Sequence, residues 1–161
     1  MTGYVRKVIG QVTDLRLPAD RAYIVVAKRT AGAIGAVAGF DVDEVDDLTI
    51  AVAQAFENAI SCLEGSGFLT GQVRISFKHD KRGLEVTVRS SVNRDAELEA
   101  RQAHAEHALA LAQQNAAARL ESAVSNDLAL RLMGLFVDRS SYQLDERTGG
   151  LRVRLTKYRA S

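Results

Sequence analysis

The sequence predicts an α+β fold, a two-layer sandwich in which helices cover one face of a mostly antiparallel sheet. Two kinds of segment carry this prediction: short ones that alternate apolar and polar residues, and longer ones with apolar residues every three to four positions. Their order is strand, helix, helix, two strands, helix, helix, two strands, with short polar turns between successive strands. The 161 residues, 47% of them hydrophobic, suit one domain, 1–161, with a single core.

The first half of the chain predicts one strand and two helices. VTDLRL (12–17) alternates and stops at Pro18, as a strand does before a helix. A helix follows over 20–38, with these residues expected on its buried side: Tyr23, Val26, Ala27, Thr30, Ile34 and Val37. An acidic stretch then opens a second helix, whose expected core stripe is Val45, Leu48, Val52, Ala55, Phe56, Ala59, Ile60 and Leu63.

The second half predicts two hairpins with helices between them. QVRISF (72–77) and GLEVTV (83–88) form the first hairpin, and 140–146 with 151–158 form the second. Arg152, Arg154 and Lys157 are expected on the exposed face of the last strand. The segment 95–126 holds eleven alanines and neither Gly nor Pro, which predicts a long helix. A shorter apolar helix is expected over 128–136.

Composition limits the classes of function. With 21 Lys and Arg against 20 Asp and Glu, the formal charge is +1, so no bulk field favours nucleic acid or an acidic membrane surface. The single cysteine, Cys62, cannot form an internal disulfide and is expected to be a small buried residue. The chain has no apolar run of roughly 20 residues and no apolar signal-peptide core. These features predict a cytoplasmic protein without direct nucleic-acid or membrane partners.

One face of the second helix carries a row of residues, Asp47, Ala51, Gln54 and Asn58, whose spacing directs their side chains to one region. The stretch EVDDLTIAVAQAFENAI around this row, the strand GLEVTV, the segment DLALRLMGLFVD and the closing LTKY resemble the anti-sigma-factor serine kinases of the RsbW type. These kinases belong to the GHKL (Bergerat-fold) ATPases. The resemblance implies that fold and a site for Mg-ATP.

The resemblance also implies particular residues, and several differ here. The family has a Glu as base and, four residues later, an Asn that holds Mg²⁺; this chain has Gln54 and Asn58. A neutral amide cannot take a proton, so no catalytic residue is expected. Ser90 stands where the family has the Asp that binds adenine. Asp127 stands where a Gly approaches phosphate, and it predicts an N-cap instead.

Asn58, Ser90 and Asp127 are therefore expected to be vestiges of a cofactor site, with Asn58 as the metal position. The alanine-rich helical insertion at about 95–126 takes the place of the ATP lid. A plainer alternative makes Gln54 and Asn58 ordinary polar residues on the rim of a helix packed on a sheet.

Three functions follow from the resemblance. The first is an anti-sigma-like regulator that binds a sigma factor, a STAS-domain anti-anti-sigma protein, or both, through Lys28, Arg29, Asp43, Glu44 and Asp47. The second is an active serine/threonine kinase that uses Mg-ATP; the first needs no cofactor. The third is a degenerate ATPase-fold scaffold in another signalling complex. Dimerisation through the sheet, common in the family, would require an exposed apolar strand face.

Overall fold

The structure, a computed structural model, describes residues 10–65, 71–92, 127–144 and 150–160. Its strands are β1 (Gln11–Pro18), β2 (Gly71–His79), β3 (Gly83–Val92), β4 (Arg139–Leu144) and β5 (Leu151–Tyr158). They form one sheet in the order β1-β2-β3-β5-β4, and every neighbouring pair is antiparallel. The predicted α+β fold with an antiparallel sheet is confirmed.

Two long helices, α1 (Ile24–Val37) and α2 (Val42–Gly65), cover one face of the sheet. α2 begins with a reciprocal capping box. The N–H of Glu44 donates to Asp41 Oδ1 at 2.8 Å, and the N–H of Asp41 donates to Glu44 Oε2 at 3.0 Å. The predicted core stripe of α2 is confirmed, since all its members are buried except Val45, which is half-buried. The predicted burial of Cys62 is also confirmed.

The buried side of α1 differs from the prediction. The residues it buries are Ala27, Ala31 and Gly35. Three larger residues that were expected to be buried are exposed: Tyr23, Val26 and Val37. A Cβ added to Gly35 would lie 3.2 Å from Leu48 Cδ2, so α1 approaches α2 closely along this line of small residues. Small residues one turn apart allow that approach, and the larger side chains of α1 then face solvent.

Lys157 lies on the covered face of the sheet, so the prediction that it joins Arg152 and Arg154 on the exposed face is wrong. It is only 9% exposed and shares the parity of the buried apolar residues of β5. Its Nζ donates to the backbone carbonyl of Phe136 at 3.0 Å and lies 3.5 Å from Asp47 Oδ2. These two oxygens compensate the charge that burial removes from water.

The face of the sheet opposite the helices, termed the open face, is polar. The register places exposed basic and hydroxylic side chains along it from all five strands. Val12 and Tyr158 are the large apolar residues exposed there in the described strands. The apolar strand face expected from dimerisation through the sheet is therefore absent from this part of the chain.

In the described residues a third helical segment covers 127–133 and ends earlier than the predicted end at 136. After the N–H of Gly134 bonds to the carbonyl of Leu130, the next two N–H groups bond three residues back, which tightens and ends the helix. The alanine-rich segment 95–126 and the turn 145–149 lie outside the described residues, so the helical insertion and the extent of the domain stay predictions. No helix in the described ranges is long and apolar enough to cross a membrane.

Candidate functional site

The centre of the candidate site is a hydrogen bond between two amides on α2. Gln54 Nε2 donates to Asn58 Oδ1 at 3.2 Å. Asn58 is 9% exposed, and Gln54 is half-buried. The spacing of four residues places both side chains on one face of the helix, as the sequence predicts. The amide oxygen of Asn58 thus already accepts a hydrogen bond from its own helix.

Ser90, near the end of β3, is buried and bonded to β5. The backbone N–H of Leu151 donates to Ser90 Oγ at 2.8 Å, and the hydroxyl donates back to the Leu151 carbonyl at 3.4 Å. The β3–β5 ladder of paired residues stops at Arg89 and Arg152, one position earlier. The Ser90 side chain therefore extends this ladder by one step, and both of its hydrogen-bonding directions are used.

Two contacts fix the direction of α2 over the sheet. Near its start, Asp47 lies beside Lys157, which pairs with Leu84 at the beginning of β3. Near its end, Leu63 lies beside Gly71, which pairs with Val92 at the end of β3. α2 and β3 therefore run in the same direction.

Asn58 and Ser90 consequently lie toward the same end of the sandwich. Asp47 is separated from them: its carboxylate contacts Lys157 at 3.5 Å near the other end. The predicted row on α2 is thus divided between two sets of contacts.

Within the described residues, Asp127 neither caps a helix nor belongs to a cluster of metal-ligating side chains. It is exposed and already helical, and its Oδ2 lies 3.2 Å from Arg131 Nε one turn later. The prediction that Asp127 is the N-cap is therefore wrong. Ala129, two residues on, is buried.

The oxygen donors at these positions are neutral at Asn58 and Ser90 and anionic at Asp127. Mg²⁺ prefers oxygen ligands, usually carboxylates with waters and phosphates. Asn58 and Ser90 offer neutral oxygens that are engaged within the protein. In the described ranges, no three His, Cys, Asp or Glu side chains form a metal-binding group. The buried polar side chains of these ranges also have no unpaired oxygen or nitrogen atom.

The five predicted partner residues have different environments. Lys28, Arg29 and Asp43 are exposed on α1 and α2. Glu44 belongs to the capping box of α2, and its Oε1 accepts from the N–H of Ala160 at 3.4 Å. Asp47 pairs with Lys157. The first three are therefore available to a partner, whereas the last two already stabilise the fold.

The same helices also expose apolar residues that the sequence did not predict. Val26 and Val37 of α1 are 38% and 70% exposed, and Val42 and Ile50 of α2 are 76% and 45% exposed. The line of small residues on α1 is the sequence signal for Val26 and Val37, because a helix that buries its small residues exposes the larger ones on its other side.

A cluster of charges that the sequence did not predict joins the segment just before α1 to α2. Arg21 Nε donates to Glu57 Oε1 at 2.7 Å, and Arg21 Nη2 donates to Glu64 Oε2 at 3.0 Å. The carboxylates of Glu64 and Glu57 raise the pKa of Arg21, and Arg21 lowers the pKa of Glu64. The partners are 36 and 43 residues apart in sequence, so no local spacing indicates them.

Comparison with known proteins agrees with this architecture. A family profile described as the histidine kinase-like ATPase domain matches residues 17–157. The chain is 29% identical over 75 residues to the serine-protein kinase RsbW of Bacillus licheniformis, covering 47% of each protein. It is 30% identical over 82 residues to the serine-protein kinase RsbW of Bacillus subtilis, covering 51% of this chain and 42% of that protein. The matches thus span less than half the length of these relatives. The profile covers most of the chain, which therefore belongs to the histidine kinase-like ATPase domain family.

Proposed function

We propose that this chain is a regulatory protein of the anti-sigma type, which binds a sigma factor, a STAS-domain anti-anti-sigma protein, or both, without turning over ATP. The observation that carries this proposal is the Gln54–Asn58 hydrogen bond. It lies where the resemblance to RsbW-type kinases places the base and the metal ligand. An amide has no basic lone pair that could accept the proton of an attacking hydroxyl.

The surroundings of this hydrogen bond support a site that does not take a nucleotide. Ser90 replaces the expected adenine-binding carboxylate and bonds to the Leu151 backbone instead. Asp127 would set a negative charge near phosphates, which electrostatic repulsion disfavours. Asn58 and Ser90 already form hydrogen bonds within the protein, which reduces what either side chain gains from binding a ligand.

The outer surface of α1 and the start of α2 support binding to a protein. Val26, Val37 and Val42 are exposed there, beside the exposed charges of Lys28 and Arg29. Exposed apolar residues with charged neighbours are typical of a protein interface, where the apolar part supplies affinity and the charges supply specificity. A sigma factor or STAS-domain protein fits this surface as a partner class.

Nucleotide binding is tested by calorimetric titration with Mg-ATP up to millimolar concentration. We expect no saturable heat from the wild-type protein. The matched variant is Q54E/S90D/D127G, which restores the family residues at three positions. Gain of ATP binding by the variant alone would support the assignment of these positions. Saturable binding by the wild-type protein would contradict the proposal and favour an active kinase, to be assayed next on STAS-domain proteins.

Partner binding is tested with purified sigma factors and STAS-domain proteins encoded beside this chain. The K28E/R29E variant reverses two exposed charges on α1 and should weaken binding about tenfold or more, since charge reversal at an interface adds repulsion. The K81E/R82E variant makes the same charge change at the β2–β3 turn and should bind as the wild type does. Equal losses in both variants, or no binding by the wild-type protein, would contradict the proposed surface.

A further inference from the structure

Four arginines line up across the open face of the sheet. The register pairs Arg16 with Arg74, Arg74 with Arg89, and Arg89 with Arg152 on the adjacent strands β1, β2, β3 and β5. All four are exposed, and they are termed the arginine row. Because neighbouring strands lie roughly 4.8 Å apart, the row extends over about 14 Å.

Most of this charge is not neutralised by the residues that the structure describes. Arg74 forms an ion pair with Asp14 at 2.7 Å, which lowers the pKa of that carboxyl. Among the described residues, no ion pair includes Arg16, Arg89 or Arg152. Three guanidinium groups of the row therefore have no acidic partner in the described part of the chain, and an external anion can supply one.

The rest of the open face adds positive charge. Lys78, Arg139 and Arg154 lie on it as well, and its acidic residues in the described strands are Asp14 and Glu85. Glu85 lies 3.8 Å from Arg154 and so screens that residue rather than the row. A chain with a formal charge of +1 thus concentrates a strong positive field on one surface.

This arrangement does not stabilise the sheet. Like charges directly opposite each other on neighbouring strands are destabilising, and the row contains three such contacts in succession. The same positions would hold Thr or Val with better pairing energy. A feature that opposes folding points to a role outside the fold.

We propose that the arginine row is a docking surface for an acidic helix of a partner protein. A helix that lies across the strands presents one residue per turn at about 5.4 Å, close to the strand spacing of about 4.8 Å. Glutamates repeated once per turn along one side would meet successive arginines over the length of the row. Each guanidinium can donate two parallel hydrogen bonds to a carboxylate, which adds geometric selectivity to the charge attraction.

The geometry is less suited to other occupants. Alternate residues of an extended strand repeat at about 6.6 Å, so they drift out of step with the row. Single-stranded nucleic acid requires aromatic platforms for its bases. The aromatic residue exposed on the described open face, Tyr158, lies under the Arg139 guanidinium at 6.0 Å. A second copy of the chain packed against the open face would place its arginine row against this one, and the two rows would repel each other.

This proposal does not depend on the proposed function, because the arginine row and the helical layer lie on opposite sides of the sheet. It names a second surface and a partner defined by its acidic helix. Loss of the first surface would therefore leave the second intact.

The test is fluorescence anisotropy with a labelled helical peptide that carries one glutamate per turn on one side, titrated with the full chain. We expect R16Q/R89Q/R152Q to weaken binding at least about tenfold, equivalent to about 1.4 kcal/mol. The control K81Q/R82Q/R131Q removes the same charge from exposed positions outside the row and should bind as the wild type does. Removing opposed charges should not destabilise the sheet, so thermal unfolding will show that the triple variant is folded.

Two further probes separate the alternatives. A peptide of the same composition with its glutamates spread around the helix should bind more weakly than the one-sided peptide, and binding of both should fall with added salt. Equal binding of the two peptides, or equal losses in the two protein variants, would overturn the proposal.

Tighter binding of an oligo-dT of equal charge, lost in the row variant, would assign the surface to nucleic acid instead. Asp95, Glu97 and Glu99 lie outside the described residues and could compete from within the chain. A tenfold gain in peptide affinity in D95N/E97Q/E99Q would show that this segment of the chain occupies the row. That result would overturn the proposal that the row binds a partner protein.

Discussion

The buried hydroxyl of Ser90 gives the sharpest test of the site, because it separates a structural role from a ligand-binding one. S90A removes the group that accepts from the Leu151 N–H at 2.8 Å and donates to the Leu151 carbonyl. A buried donor left without a partner costs about 1–3 kcal/mol. With a urea dependence of about 2 kcal/mol per molar, the midpoint should fall by roughly 0.5–1.5 M.

The measurement is equilibrium urea unfolding followed by circular dichroism, with S91A as the matched control. Ser91 is the next residue on β3, half-exposed on the open face, so its loss should change the free energy of unfolding by less than about 0.5 kcal/mol. Equal midpoints for S90A and the wild type would refute the reasoning, since the Leu151 N–H would then have an equivalent partner without the hydroxyl. An effect on Mg-ATP binding with unchanged stability would instead make Ser90 a ligand residue.

Four further predictions concern stability. G83A should destabilise the hairpin by about 1–3 kcal/mol, because the added Cβ would clash with the Lys157 carbonyl and lie 2.8 Å from Tyr158 Cα. G32A should stabilise α1 by about 0.4–1 kcal/mol, since its Cβ would meet atoms no closer than 3.7 Å. In urea unfolding, a more stable G83A or a less stable G32A would contradict the prediction for that variant. K157M should lower the free energy of unfolding by about 1–3 kcal/mol, because it leaves the Phe136 carbonyl without its donor. R154M, on the exposed face, should change the free energy of unfolding little. Equal effects of the two substitutions would contradict the argument from burial. The Arg82 N–H lowers the pKa of Asp80 in the folded protein. The ionised Asp80 carboxylate therefore stabilises the fold above its ordinary pKa of 3.8, and this stabilisation is lost as the pH falls through the lower pKa of the folded state. The free energy of unfolding should therefore fall less steeply in acid for D80N than for the wild type, and parallel curves would refute this.

The sequence predicted the elements well where one local pattern decides the outcome. The alternation of β2 and β3, the stripe on α2 and the acidic start at Asp41 each specify structure within a few residues. The spacing of Gln54 and Asn58 likewise predicted their contact. In each case the interacting residues share one helix or one hairpin, so their geometry is set before tertiary packing.

The errors arose where two distant elements compete for the same surface. The apolar spacing of α1 suggested that its valines are buried, but the close approach to α2 favours the alanines and Gly35. Lys157 was assigned by its charge, although its parity in β5 marks the covered face. Its burial depends on Asp47 and the Phe136 carbonyl, 110 and 21 residues away, which no local pattern reveals.

The arginine row shows the same limit in another form. The pairing of Arg74 with Arg89 follows from the hairpin alone, whereas Arg16 and Arg152 join them only through the strand order. A net charge near zero suggested a chain without electrostatic preference. Net charge is a sum over the whole surface, and a sheet can collect basic residues on one face while the acidic residues of α2 lie on the other side. Electrostatic partners should therefore be sought for each face separately, since a partner meets the local field and not the sum.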